Sequence, residues 1–369
     1  MKTIAERVIE RAIEIQQVPA PTFEEARRAE FVRAKFIEEG LGNVSLDEAG
    51  NVYGKWKVKS GESKSKPLVV SAHLDTVFPR ETNLEVKRDG EKIHAPGLGD
   101  NSLGVAALFG LMWMIRERKI EPGGDVWFVA NVCEEGLGDL RGMKSVVERF
   151  GADALAYLVL EGLALGHIYH RAVGVRRYRV TVRTKGGHSW SDYGQPSAVH
   201  ELAKLVVQLT SLDLPKEPRT TMNVGKVAGG TSVNVIASEA ALDLDLRSEG
   251  QEELAELVSA AEKLIQRANR PGVAFEAEVI GQRPAGEMSP RHPLIRLAQE
   301  CLHEQGLDAI LTTGSTDANV PLSRGYPALV LGISRGGNAH TVQEYIHTAP
   351  VQQGMEQLAR FVERVFSIQ

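Results

Sequence analysis

VRRYRVTVRT, residues 175–184, reads as a strand rich in β-branched and aromatic side chains, and it opens the stretch that decides the fold. Behind it the pattern gives a helix over 197–209, strands over 221–227 and 240–247, a helix over 252–268 and a strand over 273–280. That order, βαββαβ, is the ferredoxin-like unit, a compact domain in itself. Outward from it the grammar differs. On the N-terminal side, helix stripes (Ile4, Val8, Ala12, Ile15; Val32, Phe36; Val105, Leu108, Met112, Ile115) alternate with apolar strands at 68–72, 126–132 and 155–160. After Pro290 the same grammar returns, with a helix over 294–305, a strand over 328–333 and a terminal helix over 351–366. Helices alternating with buried strands predict a largely parallel sheet between helical layers. The chain therefore reads as one α/β domain interrupted by a smaller inserted one, and 369 residues at roughly 150 per domain agree with two.

With 43% apolar and 25% charged residues, the composition is that of an ordinary globular protein, which excludes disordered and fibrous classes. Lys plus Arg number 43 against 48 Asp plus Glu, a net charge of −5, so no global positive field favours nucleic acid or an anionic membrane. The expected partner is a small molecule. The longest apolar runs, such as 126–132 and 154–160, are about a third of the ~20 residues that a membrane helix needs. The N-terminus, MKTIAERVIERAIEIQQV, has acids spaced through it and no continuous apolar stretch, so it reads as an amphipathic helix and not as a signal peptide. The expected location is the cytoplasm. Cys133 and Cys301 belong to no CxxC pair and make no disulfide framework; reduced thiols are expected. The polar run 60–66 is expected as a surface hairpin.

Chemistry-bearing side chains stand where apolar strands end: His73 after 68–72, Glu134 and Glu135 after 126–132, and Glu161 after 155–160. In open α/β sheets the ligand crevice lies outside the carboxyl ends of the strands, so these four converge on one rim. Asp100 stands just ahead of the helix that begins near Ser102, behind Gly97-Leu98-Gly99, which lets the backbone approach closely. It reaches the same place. Singly, each signal is weak, since a histidine after a strand is more often structural than a ligand, and the pairs Glu24-Glu25, Glu38-Glu39 and Glu252-Glu253 are explained by solvated helix faces. Glu134 and Glu135 differ. They follow seven apolar residues, and two adjacent carboxylates there repel and lose hydration unless a cation compensates. One His, one Asp and three Glu suit a hard to borderline divalent ion such as zinc, cobalt or manganese, and five ligands exceed one tetrahedral shell, which points to two ions.

The runs VVSAHLDTVFP (69–79), HAPGLGDNSLGVAAL (94–108) and ANVCEEGLGDLRGM (130–143) resemble the M20 family of dizinc peptidases and deacylases. So do KGGHSWSDYGQPSAVHELAKLV (185–206), GGTSVNVIASEAALDLDLRS (229–248), GQRPAGE (281–287) and TTGSTDANVPLSRGYPALVLGISRGGNAHTVQEYI (312–346). The match runs over almost the whole chain, in order. The resemblance implies a dizinc aminopeptidase-like catalytic domain, residues 1–172 and 288–369, and an inserted dimerisation or lid domain, residues 173–287. It implies two Zn2+, with Co2+ or Mn2+ as alternatives. Asp100 would bridge them, Glu135 and His340 would complete one site, and His73 with Glu161 the other. Asp75, two residues past His73, would hold that imidazole in its metal-binding tautomer. A cis peptide at Asp100-Asn101 is also implied. Glu134 would be the general base, moving one proton from the activated water to the leaving nitrogen. His188 would reach the partner subunit's site in a homodimer and stabilise the oxyanion. Asn234, Arg247 and Arg283 match polar lid positions, and Arg283 resembles an arginine that holds a substrate carboxylate; for Arg247 a surface or interface ion pair is the competing reading.

Rival motifs are poorer. Gly332-Ile333-Ser334-Arg335-Gly336 matches the GxSxG elbow of serine hydrolases, but no Asp follows Ser334, and the downstream acids are Glu344, Glu356 and Glu363. The glycine runs at 97–104 and 136–142 miss GxGxxG, and 138–145 misses the phosphate-loop spacing. His167 and His170 form an HxxH pair without nearby acids and are expected as peripheral loop residues, with His94, His200, His292, His303 and His347. A non-catalytic M20-like binding protein is the third alternative, yet no ligand or base is missing. The expectation is a metal-dependent hydrolase of an amide bond in a small peptide or N-acyl amino acid. Glu161 and Arg283 favour a substrate with a free carboxylate; an aminopeptidase or tripeptidase is the alternative.

Overall fold

A computed structural model describes residues 2–57 and 65–368. The hairpin expected at 60–66 falls mostly outside the described residues. The chain divides into two compact units, Met1–Ala172 with Glu287–Gln369, and Val173–Gly286.

The first unit is built on a mixed sheet. Its centre is a run of parallel strands in the order Val126–Asn131, Leu68–His73, Ala156–Glu161, Ala328–Gly332. These strands are buried almost throughout, which is why they read as continuous apolar runs and not as alternating ones. Register aligns their carboxyl ends: His73 pairs with Asn131, and Gly332 with Glu161. Val52–Trp56 and Gly42–Leu46 extend one side antiparallel, and His167–Ala172 joins the other, with Ile310–Gly314 parallel to it. The amphipathic helix Ile4–Gln16 starts at a capping box in which Thr3 and Glu6 exchange hydrogen bonds. It packs on Leu103–Glu117, whose residues 103–115 are all buried. Together with the turn before it, Leu98–Glu117 is long and apolar enough to cross a membrane by length and composition, contrary to the estimate from unbroken apolar runs, but its most apolar 18-residue stretch is 94% buried in this core.

The polar stretch 79–99 supplies Lys87–Asp89 and Lys92–His94 to a small antiparallel sheet with Tyr345–His347 and Gly336–Gly337. Several histidines expected in loops lie on regular elements. His94 and His347 flank Tyr345, His167 and His170 belong to a strand, and the His292 side chain accepts from Leu294 N to cap the helix Pro293–His303.

In the second unit the strands Gly174–Thr184, Thr220–Gly229, Glu239–Ser248 and Val273–Arg283 form an antiparallel sheet in the order second, third, first, fourth, with helices Ala198–Thr210 and Gln251–Ala268 between them in sequence. This is the ferredoxin-like arrangement. Period-two patterning divides its faces: Tyr178, Val180, Val182, Leu242, Leu244 and Leu246 pack against the helices, while Arg177–Asp245, Arg179–Asp243 and Arg183–Glu239 form cross-strand ion pairs on the other side. A short pairing of Gly187–His188 with Val235–Ile236 was not apparent from the sequence.

Candidate active site

The aligned carboxyl ends of the parallel strands bring His73 and Glu161 to one rim, with Glu134 and Glu135 on the loop after Val126–Asn131. Asp100 sits among them. His73 Nε2 lies 3.2 Å from Asp100 Oδ1 and 3.7 Å from Glu161 Oε2. On the other side His340 Nε2 lies 3.0 Å from Asp100 Oδ2 and 3.2 Å from Glu135 Oε1. One carboxylate thus offers an oxygen to each of two imidazoles. His73, Asp100 and Glu161 form one donor group and Asp100, Glu135 and His340 another, the donor atoms of each lying within 4.8 Å of one another; His73, Glu134 and Glu135 form a third. Mixed imidazole and carboxylate donors are the chemistry that borderline divalent cations take.

The electrostatics fit the same reading. Burial alone would push the His73 imidazole down, but hydrogen bonds to Asp100, Asp75 and Glu161 hold it well above its ordinary value. Hydrogen bonds to Asp100 and Glu135 raise His340 to about 10. Burial raises Glu161, whereas the two imidazoles hold Asp100 below the usual carboxylate range against its own burial. Protons on the imidazoles answer a surplus of negative charge that divalent cations can answer instead.

Asp75 is fully buried, and its carboxylate faces mainly the backbone: Oδ1 accepts from Glu134 N at 2.9 Å, and Oδ2 from Glu135 N at 2.8 Å and from the Thr22 hydroxyl at 2.9 Å. Its separation from His73 Nδ1 is 3.5 Å, longer than the 3.1 Å from that nitrogen to the Asp75 carbonyl. The resemblance suggested the imidazole contact, and the shorter hydrogen bonds to the Glu134-Glu135 backbone were missed. Arg28, also fully buried, donates to the carbonyls of Val18 at 2.7 Å and Leu74 at 2.8 Å, fixing the chain beside Asp75. Glu25 accepts from Cys133 N at 3.1 Å, and Cys133 holds φ +58 directly before Glu134. Burial, with Glu25 alongside, pushes the Cys133 thiol up to about 12, so it is no nucleophile. Both cysteines are free and buried.

The peptide Asp100-Asn101 is cis. The Asn101 amide clamps the chain on both sides of Glu161, donating to Leu160 O at 2.9 Å and accepting from Gly162 N at 2.8 Å. Asn131 donates to Asp317 at 2.7 Å, and burial raises Asp317 to about 7. The cis peptide was implied by the resemblance, whereas the Asn101 clamp and the Asn131–Asp317 bond were not found from the sequence, because the partners lie far apart in the chain.

The remaining candidates belong to the second unit. His188 is exposed, its Nδ1 accepting from Trp190 N at 3.2 Å, and it pairs with Val235, next to Asn234, whose carbonyl accepts from Ser189 N at 3.0 Å. Arg247 and Arg283 face Val175 from either neighbouring strand; Arg283 is buried, and Arg247 is ion-paired with Asp245 at 2.6 Å. Ser334 of the GxSxG run is buried and donates to His347 O at 2.6 Å, and a strand rather than a helix follows it, so it forms no elbow.

Residues 69–364 match the model of peptidase family M20/M25/M40. The chain is 24% identical to the uncharacterised protein YqjE of Bacillus subtilis over 98% of its own length and 97% of that protein's. Among solved structures it resembles a tripeptidase of Staphylococcus aureus, with a TM-score of 0.84, 24% identity and coverage of 98% and 99% of the two chains. It also resembles the YXEP protein of Bacillus subtilis, described as a dinuclear metal binding peptidase from the M20 family, with a TM-score of 0.71, 17% identity and 99% coverage of each chain. With the family model spanning most of the chain and the rim gathering imidazole and carboxylate groups that could hold metal ions, the protein belongs to peptidase family M20/M25/M40 and is a metallohydrolase of that family.

Proposed function

We propose that the protein hydrolyses an amide bond in a small peptide or N-acyl amino acid that carries a free carboxylate. The observation that carries this reading is the Asp100 carboxylate, which turns one oxygen to His73 and the other to His340. In this reading His73 and Glu161 hold one divalent cation, Glu135 and His340 hold a second, and Asp100 is shared. Zinc is the first choice, with cobalt or manganese as alternatives. Such cations supply Lewis acidity that activates water and polarises an amide carbonyl at neutral pH.

The chain's own groups do the rest. Glu134, on a backbone that Asp75 holds, takes a proton from the attacking water and delivers it to the leaving nitrogen. Asp75 keeps Glu134 and Glu135 in register through their N–H groups. His188 serves the partner subunit's site in a homodimer by donating to the developing oxyanion. An edge strand, Thr220–Gly229, and the exposed Trp190, Tyr193 and Val233 in the loops of His188 and Asn234 support association through the inserted unit. Arg283 grips the substrate carboxylate as a bidentate donor, with Asn234 and Arg247 as further polar contacts.

The similarity to a tripeptidase structure favours, as a second reading, a peptidase that needs a free amino end. Protein stripped with a chelator and restored with zinc, cobalt or manganese, then offered N-acyl amino acids beside di- and tripeptides, separates the two. Cleavage of N-acyl substrates and of peptides with free carboxylates is expected; cleavage confined to peptides with a free amino end would replace the first reading with the second.

A further inference from the structure

Glu344 is fully buried beside the rim, and the chemistry above does not use it. Its carboxylate accepts three backbone N–H groups: Oε2 takes Gly97 N at 3.1 Å, and Oε1 takes Gly99 N at 2.6 Å and Asp100 N at 3.0 Å. Its own backbone ties the same segments together. Glu344 O accepts from Ala95 N at 3.0 Å, Glu344 N donates to Thr341 O at 3.0 Å, and the next residue, Tyr345, pairs with His94. Glu344 thus joins the segment that ends in Asp100 to the segment that begins at His340, four positions before it. The glycines make room for this. A Cβ on Gly99 would lie 3.1 Å from Glu344 Oε1 and 2.7 Å from Leu163, and Gly97 holds φ +68.

A carboxylate taken out of water is costly unless donors satisfy it, and N–H groups that converge on an anion form strong bonds. Only a carboxylate offers two acceptor oxygens to these three donors. An amide in its place would turn an NH2 group on an N–H. Because both oxygens are occupied by the backbone, the residue holds the Asp100 segment and is not itself a donor to the rim.

We propose that Glu344 is a positioning residue for the cation pair: it fixes Asp100 and His340 as one rigid assembly, so that the Asp100 carboxylate faces both imidazoles before any cation binds. This rests on the reading of Asp100 and His340 as ligands. Its signature is cation affinity, because groups that orient metal ligands typically contribute about 10–100-fold to binding.

The test is calorimetric titration of the metal-free protein with zinc. The wild type is expected to take up two equivalents. E344Q is expected to bind about 10–100-fold more weakly at the sites that share Asp100. E344D, which keeps both acceptors on a shorter arm, should lose less than E344Q, and it carries the test if E344Q does not fold. Trp113→Phe removes a hydrogen bond from a largely buried indole to Glu39 at 2.8 Å near the far end of helix Leu103–Glu117, and it should bind zinc like the wild type. Folded Glu344 variants that bind as tightly as the wild type, or a W113F variant that loses as much affinity as they do, would overturn the proposal and leave the ligand assignment standing. A wild type that takes up no zinc would overturn the ligand assignment itself.

Discussion

Asp75 fixes the two N–H groups of the Glu134-Glu135 pair, and in the proposed mechanism the Glu134 side chain moves the protons. Glu134→Gln is therefore expected to keep the cation content of the wild type and lose about 10²–10⁴-fold in kcat, the range of a general base; elemental analysis beside steady-state kinetics checks both halves, and a variant with most of its turnover would end the role. His73, Glu134, Glu135 and Glu161 were legible because each follows an apolar strand whose carboxyl end faces the rim. His340 was not, except by resemblance, since it stands in a loop at φ +65 behind only the two-glycine strand Gly336–Gly337, which writes no apolar run. Asn101, Asp317 and Glu344 were silent because their meaning lies in a partner far away in the chain, 186 residues for Asn131 with Asp317 and 247 for Gly97 with Glu344.

At the scale of elements, the turn between Gly42–Leu46 and Val52–Trp56 is held by Asp47. Burial favours its neutral form, but hydrogen bonds from Tyr53, Asn51 and Ser145 outweigh this and hold the carboxyl below its ordinary value. A depressed native pKa means that the unfolded chain binds the proton first as pH falls. The stabilisation from Asp47 is therefore complete above the ordinary aspartate value of about 3.9 and is lost below it, as pH passes through the depressed native value. Asp47→Asn should be less stable at neutral pH and show a shallower acid limb in thermal melts; parallel limbs would contradict the assignment. Gly104 lets helix Leu103–Glu117 approach the Asn101 clamp, for a Cβ there would lie 2.1 Å from Asn101 Oδ1 and 2.9 Å from Leu160 O. Gly104→Ala is expected to destabilise by about 1–3 kcal/mol, as overpacking does, and to weaken cation binding through Glu161; chemical denaturation with zinc titration measures both, and unchanged values would contradict it. Long apolar strands such as Val126–Asn131 were legible because burial on both faces writes a continuous run. Gly42–Leu46, Lys87–Asp89 and Ile310–Gly314 were not, being short, polar or glycine-bounded and fixed by distant partners.

For the whole molecule, the change of grammar at 174 marked the inserted unit because antiparallel strands with one solvated face alternate, whereas the flanking parallel strands do not. What the inserted unit does was legible only by resemblance, since an exposed histidine on a two-residue strand carries no signature of its target. If His188 serves a partner subunit, sedimentation should find a dimer, and His188→Ala should lower kcat without changing cation content. A fully active monomer would contradict the shared site. Two cations on either side of Asp100 would be seen in anomalous diffraction at the zinc edge from crystals grown with zinc. Two peaks are expected, one against His73 and Glu161 and one against Glu135 and His340, with Asp100 between them; no peak at this rim, or zinc bound only elsewhere, would refute the shared site.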